Sequence, residues 1–191
     1  TLSAGGSIDR SFTFSWPAGA AGSGQFEFLV STDDDREIFE SNASDTAETN
    51  NGASLVVASA PDLRVLNLRL AAATATAGDS VTVFWDDRND GLTATPASWK
   101  DRLIVRNLST GEKLLDVDLP YNIALIGNGA LAANASVARS HTFQLPEGLR
   151  GTGQIEVEVR ADQNVAGQGG LVEYTAAGDS GENNNSASLT V

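Results

Sequence analysis

The chain has 191 residues, with no Cys, no Met and one His, and its 12 basic and 25 acidic residues give a formal net charge of −13. Without Cys there is no disulfide framework, no Cys-based zinc site and no thiolate nucleophile, and one imidazole cannot form a multi-histidine metal site. The acidic charge argues against nucleic acid as a partner, because phosphate binding needs clustered Lys and Arg. No apolar run approaches the roughly 20 residues of a membrane span.

An internal repeat organises the chain. Residues 10–33 recur as residues 139–162, with 12 of 24 positions identical at a constant offset of 129. Each copy enters an acidic loop and leaves it through a matching Glu-x-Asn-Asn segment, at 48–51 and at 182–185. A period near 130 residues is too long for a solenoid unit and matches a domain. The repeat predicts three parts: a partial first copy at residues 1–57, a linker at 58–60 and a complete domain at 61–191.

The partial first copy matches only the last three strands of the domain that follows it. Its alternating aromatic residues predict an apolar face without the strands that should cover it: Phe12, Phe14, Trp16, Phe26 and Phe28. We expect this chain to be an excised piece of a longer array. We expect residues 1–57 to be ordered by packing on a neighbouring repeat, on the complete domain or on a second copy of the chain.

The first acidic loop crowds seven carboxylates into residues 33–48, with Arg36 as the only cation. Like charges at this density repel, so an ordered loop needs a positive charge, and calcium suits these oxygen ligands although the spacing is not that of an EF-hand. The alternative is a solvated loop whose Asp and Asn side chains cap turns and strand ends. The candidate calcium ligands are Asp33, Asp35, Glu40 and Glu48 in the first copy, and Asp62, Asp162, Asn164, Glu173 and Glu182 in the complete domain.

The complete domain begins at Pro61-Asp62-Leu63 and continues with the apolar–polar alternation of half-buried strands. Asn89-Asp90-Gly91 and Ser109-Thr110-Gly111 supply residues that tolerate the positive φ of turns. No segment has a convincing 3.6-residue apolar period, although the Ala- and Leu-rich residues 121–133 are compatible with a short helix. Seven strands, A to G, are predicted at residues 63–70, 80–86, 99–107, 113–119, 137–145, 154–160 and 186–191.

Seven short strands in about 130 residues predict an all-β, immunoglobulin-like antiparallel β-sandwich of the Greek-key type. Strands A, B and E should form one sheet and the remaining strands the other. Strand E should pair with B, and F and G should pair with C. Trp85 and Trp99 are expected in the core between the sheets.

Several motifs resemble the CARDB family, the cell-adhesion-related domain of bacteria. They are Pro61-Asp62-Leu63, residues 80–83 leading to Asn89-Asp90-Gly91, Trp99 with Asp101, and a closing set of Asp162, Glu173, Glu182, Asn184 and Asn185. The insertion at 121–133 and the long loop at 163–181 depart from the family pattern. The resemblance implies a non-catalytic module, repeated in tandem along a large bacterial surface or secreted protein, with a spacer or adhesive role and neighbouring repeats as partners.

Two other functions are conceivable for this sequence, catalysis and carbohydrate binding. His141 is the only candidate general base, but Phe12 takes its place in the first copy, which indicates packing rather than catalysis. The alternative function is a carbohydrate-binding or accessory domain of a secreted polysaccharide-degrading enzyme, because an aromatic face such as that of Trp16 can stack on sugars. The expected partners are neighbouring repeats, a second copy through residues 1–57, and a glycan or other cell-surface ligand, all outside the cell.

Overall fold

The computed structural model describes residues 2–191, in which the regular elements are strands and short 3-10 helices. The nine strands are β1 Gly24–Ser31, β2 Gly52–Ser59, β3 Leu63–Leu70, β4 Ser80–Asn89, β5 Trp99–Asn107, β6 Glu112–Tyr121, β7 Ser136–Gln144, β8 Ile155–Arg160 and β9 Ser186–Thr190. Four 3-10 helices lie at Gly19–Gly22, Ala47–Thr49, Gly148–Gly151 and Gly181–Asn183. Within residues 2–191, no helix has the length and apolar character needed to cross a membrane.

Strands β3 to β9 form the predicted sandwich. One sheet has the order β3-β4-β7 and the other β6-β5-β8-β9, and every pairing is antiparallel. These are strands A, B and E opposite strands D, C, F and G, so the prediction of an immunoglobulin-like sandwich is confirmed. One predicted pairing was wrong: strand G, which is β9, lies beside β8 at the sheet edge and not beside β5.

The core lies between the two sheets and follows directly from the alternation in the sequence. In β4 the side chains of Val81, Val83 and Trp85 are buried, and in β8 those of Val157 and Val159 are buried. Burying one such side chain contributes roughly 1.5–3 kcal/mol to stability. Trp99 is buried too, so both tryptophans expected in the core are found there.

The insertion after β6 contains no helix, so the short helix suggested for residues 121–133 was wrong. Its turns are held by bonds to side chains, which compete with helical hydrogen bonding. Asn122 Oδ1 accepts from Ala124 N at 2.9 Å. Leu131 is buried, and its N–H donates to Thr95 Oγ1 at 2.9 Å, so it anchors the far end of the insertion in the core.

The first copy forms a separate two-stranded sheet, β1 with β2, that repeats the local geometry of β8 with β9. The 3-10 helices that precede these strands recur at the two offsets found in the sequence, 129 and 134. Gly22 and its counterpart Gly151 are required by close approach: a Cβ would lie 2.0 Å from the Pro17 carbonyl oxygen and 1.9 Å from that of Pro146, respectively. The repeat therefore extends from sequence to backbone.

The third strand expected in the first copy does not form, and residues 6–18 have no regular strand. The turn before them is still repeated, because Gly6 N donates to Ser3 O at 2.8 Å as Ala135 N donates to Ala132 O at 3.0 Å. In the complete domain the equivalent strand, β7, obtains its ladder hydrogen bonds from β4. The first copy has no β4 equivalent among residues 2–57, so the expectation of three strands was wrong for want of a pairing partner.

The segment predicted as a linker, residues 58–60, is not free. Strand β2 runs to Ser59, and both Ser59 and Ala60 are buried. Immediately after it, Pro61 O accepts a hydrogen bond from Tyr174 N at 3.0 Å. The small side chains allow close packing here and do not mark a flexible connection. The division of the chain at this point stays a prediction.

Candidate functional site

The loop between β8 and β9 brings acidic residues to the end of the sandwich where β3 begins. Asp162 starts the loop in the left-handed region, at φ 44°, which Asp tolerates better than most residues. Its buried carboxylate accepts backbone hydrogen bonds from Gly170 N at 2.9 Å and from Leu171 N at 2.7 Å, both to Oδ2. Burial raises the pKa of Asp162, and these backbone donors oppose that effect.

Glu173 is the most deeply placed acid of this loop. Its Oε1 accepts from Leu63 N at 2.6 Å, and Oε2 accepts from the amide of Asn185. Burial raises the pKa of Glu173 to about 8, and the charges of Asp162 and Glu182 act in the same direction. The side chain therefore joins the loop to the first residue of β3 largely in its protonated form at neutral pH.

The carboxylates of Asp162 and Glu182 approach each other at Gly169. A Cβ on Gly169 would lie 3.0 Å from Asp162 Oδ2 and 3.3 Å from Glu182 Oε2, so the two acids approach the same small volume. Burial, followed by the charge of Asp162, raises the pKa of Glu182. Asp62 lies nearby in the fold, and its Oδ1 accepts from Asn184 Nδ2 at 2.9 Å.

The remaining predicted ligands have a different role. Asn164 Oδ1 accepts from Ala166 N at 2.9 Å and caps a turn. In the first copy, Asp33 accepts from Glu37 N at 2.9 Å, and Glu48 accepts from Glu40 N at 2.9 Å. Asp35 is exposed.

Both acidic loops are thus held by carboxylates that accept backbone N–H groups, as the capping alternative describes. Within residues 2–191, no group of three or more His, Cys, Asp or Glu side chains converges as a metal site would. Four candidates lie at the same end of the sandwich without converging on one point, namely Asp62, Asp162, Glu173 and Glu182. The four first-copy candidates form no such site with them. Calcium binding stays a prediction.

A buried charge cluster lies deeper in the core and was not predicted. Asp87 on β4 and Asp101 on β5 have no exposed surface. Arg139 on β7 contacts both: Nη1 donates to Asp87 Oδ2 at 3.3 Å, and Nη2 forms an ion pair with Asp101 Oδ2 at 3.2 Å. Trp85 Nε1 also donates to both carboxylates, at 3.0 and 3.2 Å.

One cation cannot neutralise two buried carboxylates. Burial raises the pKa of Asp87, and burial together with the charge of Asp87 raises the pKa of Asp101 well above its ordinary value. Asp101 Oδ1 has no hydrogen-bond partner. The cluster ties β4, β5 and β7 together across the two sheets.

A cavity of about 390 Å³ lies beside this region, between the ends of β5 and β6 and the loop after β8. Lys100, Asn164 and Gln168 supply polar groups to it, while the rings of Trp99 and Tyr121 stack with centroids 4.2 Å apart. Both rings are buried, so neither offers a face on which a sugar could stack. The carbohydrate-binding alternative stays a prediction.

No family model matches the chain, and no curated protein matches it significantly. The crystal structure of the CARDB domain of a Pyrococcus furiosus protein, in complex with di-metal ions, has a TM-score of 0.43 at 15% identity over 69% of this chain and 87% of that chain. A solution NMR structure of that domain has a TM-score of 0.42 at 15% identity, over 69% of this chain and 93% of that chain.

The chain is similar to CARDB domains. The same type of domain is the one that the motifs from Pro61 onward resemble in sequence. The arrangement of the sandwich rests on its own strand order.

Proposed function

We propose that the chain is a non-catalytic, adhesion-related module of a tandem array, acting as a spacer or adhesion unit outside the cell in a surface or secreted bacterial protein. The repeat supports this proposal, because a second hairpin with a related sequence and the same strand pairing precedes the complete sandwich. The resemblance to the CARDB family supports the adhesive role. Its partners would be neighbouring repeats of the same kind.

The joint between the two copies, residues 59–61 packed against residues 91–93, is the observation that carries the proposal. Ala60 O accepts hydrogen bonds from Leu92 N at 2.9 Å and from Thr93 N at 3.3 Å. Gly91 lies so close that a Cβ would be 2.5 Å from Ala60 O. Because backbone packs directly on backbone, the chain enters β3 in a fixed direction. A spacer needs such a direction at each joint to hold a distal site away from a surface.

Gly91→Ala tests the joint. The added methyl group cannot fit against the backbone of Ala60, so we expect the joint to open and proteolysis within residues 57–62 to accelerate at least tenfold. Gly129→Ala is the matched control, because a Cβ at Gly129 meets no atom within 4 Å. Limited proteolysis followed by mass spectrometry identifies the cleavage sites. Equal cleavage of the two variants would contradict a fixed joint and with it the spacer function.

Calcium is the ion we propose for the acidic end of the sandwich, with Asp162 and Glu182 as ligands. This proposal is supported by the close approach of the two carboxylates at Gly169 and by the raised pKa of both groups. A cation between them would relieve their repulsion. Two carboxylates supply only part of the six to eight oxygens that calcium takes, so backbone carbonyls and water would supply the rest.

Calcium should therefore stabilise the chain in a thermal melt. At a hundredfold excess over Kd, binding to the folded state alone contributes about 2.7 kcal/mol, which raises Tm by several degrees. Asp162→Asn should remove most of the increase, and magnesium should substitute poorly because it requires a tighter octahedral shell. Melting curves that are the same in calcium and in a chelator would exclude this site.

A further inference from the structure

The first copy exposes an aromatic face, which we define as Phe12, Phe14, Trp16, Phe26 and Phe28. The rings contact one another, with centroids 5.5 Å apart for Phe14 and Phe28 and 4.8 Å apart for Trp16 and Phe26. Yet Phe12 is 88% exposed, Phe14 49% and Trp16 38%. A continuous apolar surface of this kind marks an interaction site.

The complete domain shows what covers the same positions in the repeat. The counterparts of Phe14, Trp16, Phe26 and Phe28 are Phe143, Leu145, Ile155 and Val157, and all four are buried. Their cover comes from the unit β3–β6. In particular, β4 pairs with β7 and β5 pairs with β8, so this unit supplies ladder hydrogen bonds as well as apolar side chains.

A buried arginine restricts which partner can cover the aromatic face. Arg139 lies at the edge of this surface in the complete domain and bonds to Asp87 and Asp101, which come from β4 and β5. Its counterpart in the first copy is Arg10, which is exposed. A partner that completes the first copy in the same way must therefore present two buried carboxyl groups, one from each of two strands in opposite sheets.

We propose that the aromatic face and Arg10 dock a four-stranded half-sandwich of the same type as β3–β6, which offers Arg10 an aspartate pair equivalent to Asp87 and Asp101. The inference rests on the proposed function, since a tandem array supplies such units. In the completed copy, residues 11–15 form the missing strand against the β4 equivalent, and β1 pairs with the β5 equivalent. Binding of this kind adds strands to an open sheet edge.

The experiment is a fusion in which a second copy of residues 61–129 precedes the full 191-residue chain. Thr1 corresponds to Ala130 at the repeat offset of 129. Residue 129 of the added copy therefore precedes Thr1 in the fusion as residue 129 precedes Ala130 in the chain itself. Hydrogen exchange read by mass spectrometry should show amides of residues 11–15 and 24–31 exchanging at least tenfold more slowly than in the unfused chain. The fusion should also be monomeric in light scattering.

Arg10→Met is the matched variant in both backgrounds. In the fusion it should abolish most of the gained protection, and in the unfused chain it should change exchange less than twofold. An aggregated fusion, unchanged exchange, or an unfused dimer that already protects residues 11–15 would overturn the proposal. Failure here leaves the joint at Gly91 intact, so it is distinguishable from failure of the spacer function.

Discussion

Arg139→Met is expected to destabilise the sandwich by about 3–5 kcal/mol, because it leaves two buried carboxyl groups without the cation that contacts both. Methionine retains most of the apolar volume of arginine, so the loss comes mainly from charge and hydrogen bonds. Arg139 Nη2 also donates to Leu119 O at 2.8 Å, and that carbonyl loses its donor. Urea unfolding followed by tryptophan fluorescence measures the change, since Trp85 lies within the cluster.

Arg10→Met is the control for this effect, because the repeat places the same residue type at the equivalent position on an exposed segment. A substitution at such a site should change the free energy of unfolding by no more than about 0.5 kcal/mol. Replacing Asp87, Asp101 and Arg139 together by leucine should recover most of the loss, since no buried charge then lacks a partner. Equal effects of the two arginine substitutions would show that the buried cluster contributes nothing specific.

The free energy of unfolding is expected to fall as pH rises from about 5 to about 9. Burial raises the folded-state pKa of Glu173 from 4.5 to about 8, and that of Asp101 well above 3.8. A carboxyl group whose pKa is higher in the folded state than in the unfolded state stabilises the fold fully at pH values below the unfolded-state pKa. This contribution is lost as the pH rises from the unfolded-state pKa to the folded-state pKa. For Glu173 the difference corresponds to at most about 5 kcal/mol.

Glu173→Gln separates this residue from the others. Glutamine keeps the shape of the neutral acid and does not titrate, so the variant should lose less stability than the wild-type chain between pH 5 and pH 9. The remaining slope belongs to the Asp87–Asp101 pair and to Asp162 and Glu182, whose pKa values are also raised. Melts in a chelating buffer keep metal ions out of the comparison. Parallel pH profiles for the two proteins would rule out a protonated Glu173 in the folded state.

The strands and their sheets could be predicted because alternation and an internal repeat are both properties of the sequence. The buried cluster could have been predicted by the same alternation. Asp87 continues the inward series Val81, Val83 and Trp85, and Asp101 lies between the inward-facing Trp99 and Leu103. Charged residues at inward-facing positions need partners of opposite charge. The recurrence of arginine at positions 10 and 139 of the repeat was the signal in the sequence for such a partner.

Other features depend on contacts between distant segments and could not be predicted from local pattern. Residues 11–15 carry a strand sequence, but a strand needs a neighbour for its ladder, and the described chain has none for them. The small residues Ala58, Ser59 and Ala60 predicted a linker, and only the fold shows that Gly91 packs against the backbone of Ala60. The acidic loops predicted a cation, whereas backbone N–H groups of the same loops donate to Asp33, Glu48 and Asp162.

Amide hydrogen exchange at Leu92 and Thr93 tests the central claim, a fixed joint between successive copies, most directly. Both N–H groups donate to the carbonyl oxygen of Ala60, the last residue of the segment that connects the two copies. We predict that these two amides exchange about as slowly as core amides of β4, because they are released only when the joint or the sandwich opens. Exchange as fast as that of the exposed residues 124–127 would contradict a fixed joint.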